Sequence, residues 1–208
     1  LGVAVLWHCD RRPAFAQAAW RENSVQGQTV PRDVRDLYER GLNWLVVNQD
    51  DTGRWKGSGG EVGPGVTGLA LMAFLAYGED PNHGQYSQNA CSAVRSIIED
   101  QNAKTGYIGS SMYHHGFAML ALAEAYGTVD DRNLWTGNES NRRSIGQALE
   151  LAVRSSLTSQ KKNSSGAWRY SPDSTDADTS VSGAVLVGLL AARNAGIEVP
   201  DEAVDKAI

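Results

Sequence analysis

The residues of this chain best suited to chemistry stand just before apolar, glycine- and alanine-rich stretches. Glu61 precedes the first such stretch, His114 and His115 the second, and Asp173, Asp176 and Asp178 the third. A histidine set against Asp178 would make an acid–base couple, since proton transfer needs two groups of matched basicity within hydrogen-bond reach. Splitting a glycosidic bond would want two carboxylates at a set separation, and Glu61 and Asp178 are the candidates for such a pair. Metal binding is not expected, because neighbours on a helix point about 100° apart and His114 and His115 cannot both face one ion. A simpler role competes for Asp178: Asp and Thr are favoured helix N-caps, accepting a bond from an orphan amide. An aspartate there sits in the positive field of the helix end, which holds it ionised. Tyr77, Tyr113 and Phe117, with Phe74 and Tyr126, supply aromatic faces that could line a binding surface or stabilise a cation; packing in the core is their usual role.

The elements that must hold these groups recur along the chain. A helical pattern over Val34 to Gln49 leads into the turn "DDTGRW", a glycine-rich loop and the apolar helix Thr67 to Tyr77. The same order returns as "SAVRSIIEDQ", "NAKTGY" and "HGFAMLALAEAYG", and again as "IGQALELAVRSSLTSQ", "KKNSSGAWRY" and "TSVSGAVLVGLLAARNAG". Aligning Gly53, Gly106 and Gly166 gives steps of 53 and 60 residues, a coarse period with loop insertions. The first helix of each unit is amphipathic: Ile145, Leu149, Ala152, Val153 and Leu157 oppose Gln147, Glu150 and Arg154. It should lie outside. The second, apolar around its circumference, including Val181 to Ala192, should lie inside. Alternation with β-branched residues never runs far, and Asp130 to Asn141 reads as a polar loop. The expected class is all-α, with each outer and inner helix forming a hairpin that stacks on the next.

The stretch Arg40 to Trp55 resembles the QW motif of the terpenoid cyclase and protein prenyltransferase superfamily at seven positions: Arg40, Gly41, Trp44, Leu45, Gln49, Gly53 and Trp55. A second copy keeps Gln101 and Gly106 without the tryptophan; a third keeps Gln160, Gly166 and Trp168. The resemblance implies an α/α toroid over residues 32–208, with repeats at about 32–86, 87–141 and 142–208 and about three visible hairpins of a six-hairpin barrel. It also implies that the QW turns fasten neighbouring units and take no part in chemistry. "DADTS" is similar to the acidic motif of squalene–hopene-type cyclases, Asp176 matching the first aspartate, Asp178 the proton donor and Ser180 the threonine, while Thr179 replaces the last aspartate. The superfamily's zinc site does not carry over, because Cys91 has no aspartate two residues before it.

The resemblance therefore implies acid-initiated cyclisation or binding of an isoprenoid of the squalene type, with Asp178, Asp176, His115 and His114 as catalytic candidates. Glu61, Tyr113, Phe117 and Tyr77 are the candidates for substrate contact. A non-catalytic toroid that binds a ligand or partner is the alternative. No metal or cofactor is expected. A formal net charge of -5, with the 19 Lys and Arg scattered, argues against nucleic acid, whose partners carry basic stripes.

No run of about 18 apolar residues exists to span a membrane, which leaves peripheral contact open. Residues 1–31 read as an N-terminal segment and linker, in which Ala14-Phe15-Ala16 offers a small-x-small cleavage site before Gln17. Extracytoplasmic and cytoplasmic locations both stay open. A start at Leu1 and a stop within a helix-like "VPDEAVDKAI" suggest a chain cut at both ends.

Overall fold

The computed structural model describes residues 30–57, 63–135 and 142–208. Glu61 and the Ala14-Phe15-Ala16 site lie outside the described residues. The chain divides into two units, Leu1–Glu39 and Arg40–Ile208. Of the first, residues 30–39 are described; they are exposed apart from Glu39 and open a helix, α1 (Arg32–Asn48).

The second unit continues α1 and adds α2 (Pro64–Ala76), α3 (Ser87–Glu99), α4 (Met112–Ala125), a 3-10 turn (Asp131–Asn133), α5 (Ile145–Lys162), α6 (Thr179–Asn194) and α7 (Asp201–Asp205). Among the described residues there is no strand, only an isolated bridge between Gln101 and Ile108. The protein is all-α there. Each start has a local cause. Pro64 opens α2, where its missing N–H is no loss. Ser111 caps α4, Asp178 caps α6, and Ser144 with Gln147 forms a reciprocal capping box on α5. The polar loop expected from Asp130 is tightened by the 3-10 turn, capped by the Asp130 side chain accepting from Arg132 N.

The inner helices α2, α4 and α6 lie side by side in that order, with α3 packed on α2 and α5 on α4. Glycine sets the spacing. A Cβ on Gly116 of α4 would come within 2.6 Å of the Ala184 backbone in α6, and one on Gly188 of α6 within 2.8 Å of Gly116 O. The two axes therefore approach closer than larger side chains allow. The same contacts pair early residues of α4 with early residues of α6, so these helices run parallel; Gly68 of α2 against Phe117 and Ala121 of α4 gives the same sense.

One expectation shifts. Two inner helices pack more closely on the outer helix that follows than on the one before, α2 on α3 and α4 on α5, while α6 packs more closely on α5, which precedes it. In the first two repeats the closer pairing is thus inner-then-outer. A short connection around Gly78 joins α2 to α3, whereas the longer glutamine turn and loop separate each outer helix from its own inner one.

Candidate functional site

The glutamine turns are the best-defined polar constructions in the molecule, and they repeat in detail. The Gln49 side-chain amide donates to Gly53 O at 3.1 Å and to Asn89 O at 3.0 Å. Gln101 donates to Gly106 O and Ala148 O at 3.0 and 2.8 Å, and Gln160 to Gly166 O and Ala203 O at 2.6 and 2.7 Å. One bond closes the turn; the other reaches the first turn of the next outer helix. In all three the glycine has positive φ, 81°, 76° and 73°. A Cβ there would be strained and would also collide with the backbone of Ser92, Leu151 or Lys206, each three residues beyond the carbonyl that accepts from glutamine. The indole of Trp55 donates to Leu45 O at 2.7 Å and that of Trp168 to Ser156 O at 3.0 Å, closing the turn back onto its own helix. These groups join helices.

Because the inner helices are parallel, their amino ends share one end of the unit. His114 is at the junction of two of them: Gly65 N–H donates to its Nδ1 at 3.3 Å, and Gly63 packs against its ring. Tyr113 stands beside it, 36% exposed, in edge contact with Phe117 at 5.2 Å. Tyr77 caps the opposite end of α2, packed edge-on against Tyr86 at 5.5 Å, and so is not gathered with them.

His115 points the other way. It is fully buried, and its Nδ1 accepts from Ile108 N at 3.0 Å, which fixes the neutral tautomer with hydrogen on Nε2. That nitrogen faces Ala152 O at 3.2 Å and Ser156 Oγ at 3.0 Å. Burial pushes its pKa down to about 4, the Ala152 carbonyl countering only in part. The ring is an interior strut between α4 and α5. Aligning the pairs Thr67-Gly68, His115-Gly116 and Ser182-Gly183 explains it: all three polar members are buried. Ser182 Oγ accepts from Trp168 N at 3.0 Å just as His115 accepts from Ile108 N, Ile108 standing where Trp168 stands in the third repeat. That polar-glycine pair was the available signal for a structural histidine.

The acidic candidates each have a local partner. Asp178 Oδ1 accepts from Ser180 N at 2.9 Å, Ser180 Oγ at 2.6 Å and Val181 N at 3.1 Å. The Ser180 hydroxyl and these amides hold its carboxyl below the usual carboxylate range. Asp176 pairs with Arg169, and Asp173 with Lys162 at 2.5 Å. An ionised N-cap accepts hydrogen bonds and has no proton to give to an alkene.

Sequence reasoning named Tyr113 and Phe117 for substrate contact but missed the apolar face to which they belong. α4 is flanked by α2 and α6 and backed by α5, so its remaining stripe, Tyr113, Phe117, Leu120 and Glu124, faces outward at helical spacing. Leu69 of α2 and Val187 of α6, 47% and 50% exposed, extend it on either side. Among the described residues no group of His, Cys, Asp and Glu is placed to hold a metal ion, and no helix is long and apolar enough to cross a membrane. No protein-family model, no curated protein and no solved structure matches the chain.

Proposed function

We propose that this chain is a run of hairpins of the terpenoid-cyclase and protein-prenyltransferase type, arranged as part of an α/α toroid. On this reading it holds an apolar ligand, isoprenoid in class, on the outward face of its inner helices, and does not cyclise it through Asp178. The observation that carries the binding half is the exposure of Leu69, Tyr113 and Val187 on helices that are otherwise closely packed; apolar surface of that kind, grouped rather than scattered, marks interaction sites. The thrice-repeated glutamine bridge supports the architectural half. Against proton transfer stand the hydrogen bonds that occupy Asp178 and the neutral interior setting of His115.

The test uses farnesol as an isoprenoid probe and squalene as a cyclisation substrate. Farnesol should raise the melting temperature saturably, since a ligand that binds only the native state stabilises it by RT ln(1 + [L]/Kd). Leu69→Asp with Val187→Asp should abolish that rise. Squalene should be recovered unchanged. Any cyclic product that Asp178→Asn removes would overturn the non-catalytic half, and a farnesol-independent melting temperature would overturn the binding half.

A further inference from the structure

The outward face is not uniform from end to end. On α2 the stripe from Leu69 continues through Met72 and Ala76, and on α4 the stripe from Tyr113 continues to Glu124. At the carboxyl ends of these parallel helices it deepens into a cleft of about 420 Å³, within the range of roughly 300–1,000 Å³ typical of small-molecule sites. Met72, Leu75, Ala76 and Pro81 make its apolar wall, Glu79 and Glu124 supply its charge, and its lining contains no basic residue.

The charges stand where helix electrostatics disfavours them. Carbonyl dipoles converge at a carboxyl end, so cations are stabilising there and acidic side chains are not. Three other carboxyl ends are met by cations: α5 carries Lys161 and Lys162 in its last turn, α6 carries Arg193, and at the acidic end of α3 Arg54 pairs with Asp100 at 2.8 Å, whereas the last turn of α1 carries none. α2 and α4 carry no basic residue in their last turns. The end of α4 is closed instead by the neutral hydroxyl of Thr128, donating to Glu124 O and Ala125 O at 3.0 Å each. Glu79 has one structural duty, accepting from Gln85 N at 3.1 Å through Oε2.

We infer that this cleft takes the positively charged head of an amphiphile whose alkyl or isoprenyl tail lies along the outward face, so that the preferred ligand is an organic ammonium and not an anion. The inference rests on the outward face being the binding surface. Two acidic side chains above two helix carboxyl ends give a field that favours a cation over an anion, and the apolar wall beside them takes up the adjoining carbon atoms of the ligand.

Three probes share one tail and differ only in head: n-octyltrimethylammonium, n-octanol and octanoate. Titrated calorimetrically into the chain, the ammonium should bind about ten-fold more tightly than the alcohol, a difference of about 1.4 kcal/mol, and octanoate should bind most weakly. Glu79→Gln with Glu124→Gln should bring the ammonium to the level of the alcohol. Both side chains are exposed, so the variant should keep its fold, which its melting temperature checks. Equal binding of ammonium and alcohol, or discrimination that survives the double substitution, overturns the charge preference. If farnesol still binds in that case, the apolar-face reading stands while this inference falls. Failure of farnesol and all three probes removes both.

Discussion

The second and third repeats solve one packing problem with different side chains. Where the third places Trp168 in its turn and Ser182 beneath it, the second places Ile108 and His115. In both, the buried side chain on the inner helix accepts from the backbone N–H of the turn residue. The large ring has moved from the turn to the helix. Ser156 ties the two together, its carbonyl accepting from the Trp168 indole and its hydroxyl meeting His115 Nε2 at 3.0 Å. The repeats therefore conserve filled volume and satisfied donors rather than residue types, as a core packed near crystal density requires.

The largest effect expected is from removing the ring where it remains in the turn. Trp168→Ala should cost about 3–5 kcal/mol, roughly 10–15 °C in melting temperature for a unit of this size. Ile108→Ala should cost less, because a smaller side chain leaves a smaller cavity. Equal losses would mean that the two turns are not equivalent. Exchanging the solutions sharpens the comparison. Ile108→Trp alone should destabilise by about 1–3 kcal/mol through overpacking against His115. Adding His115→Ser should recover part of that loss, a non-additivity of at least about 0.5 kcal/mol between touching residues, measured by urea unfolding of all four species.

His115 also makes the second repeat sensitive to acid, and the third has no counterpart. Its folded pKa of about 4 lies below the ordinary value of 6.5, so between these the unfolded chain binds the extra proton. Stability is complete above about pH 6.5 and falls as pH drops toward 4, by on the order of 3 kcal/mol in all. Protonation would also put hydrogen on Nδ1, facing the Ile108 amide that now donates to it. Acidic groups with lowered values, including Asp178 and Asp130, titrate below this window. His115→Gln should flatten the profile between pH 6.5 and 4; a slope that persists would place its origin in another group.

How far this was legible in sequence follows the range of the forces. The helices, the turns at Gln49, Gln101 and Gln160 and the N-cap at Asp178 rest on contacts within a few residues, and their signals lie in the local pattern. The second bond of each glutamine, to Asn89, Ala148 or Ala203, depends on how units stack, and so does the pairing of α2 with α3 and of α4 with α5. His114 and His115 are the same residue type one position apart, yet one lies at the amino-end junction of α2 and α4 and the other in the core. Only the rotation of α4 between its neighbours separates them. Tyr77 looked like a companion of Tyr113 because composition does not tell which end of a helix faces which.

The glutamine bridges should rank next. Gln160→Ala leaves the Gly166 and Ala203 carbonyls without their shared donor and should cost about 2 kcal/mol. Gln49→Ala should cost less, since Gln49 is only part-buried and water can reach the freed groups. Gln49 Oε1 also accepts from the Asn89 side chain, whereas Gln101 Oε1 has no partner in the protein. Losses equal at all three positions would show that burial of the bridge does not matter.

The smallest effect expected is at Asp178, and it separates a cap from a catalyst. Asparagine caps a helix about as well as aspartate does, so Asp178→Asn should keep the bonds from Ser180 N and Val181 N and leave the melting temperature nearly unchanged. Asp178→Ala removes the acceptor and should lower it slightly, with Asp178→Ser restoring part of the loss. A proton donor gives the opposite ranking, because asparagine cannot supply the acid and would be as damaging to turnover as alanine. Thermal scans of the three variants, set beside their squalene products, therefore discriminate: graded stability with no product supports the cap, while a product lost equally in Asn and Ala, whatever the stability, makes Asp178 the acid.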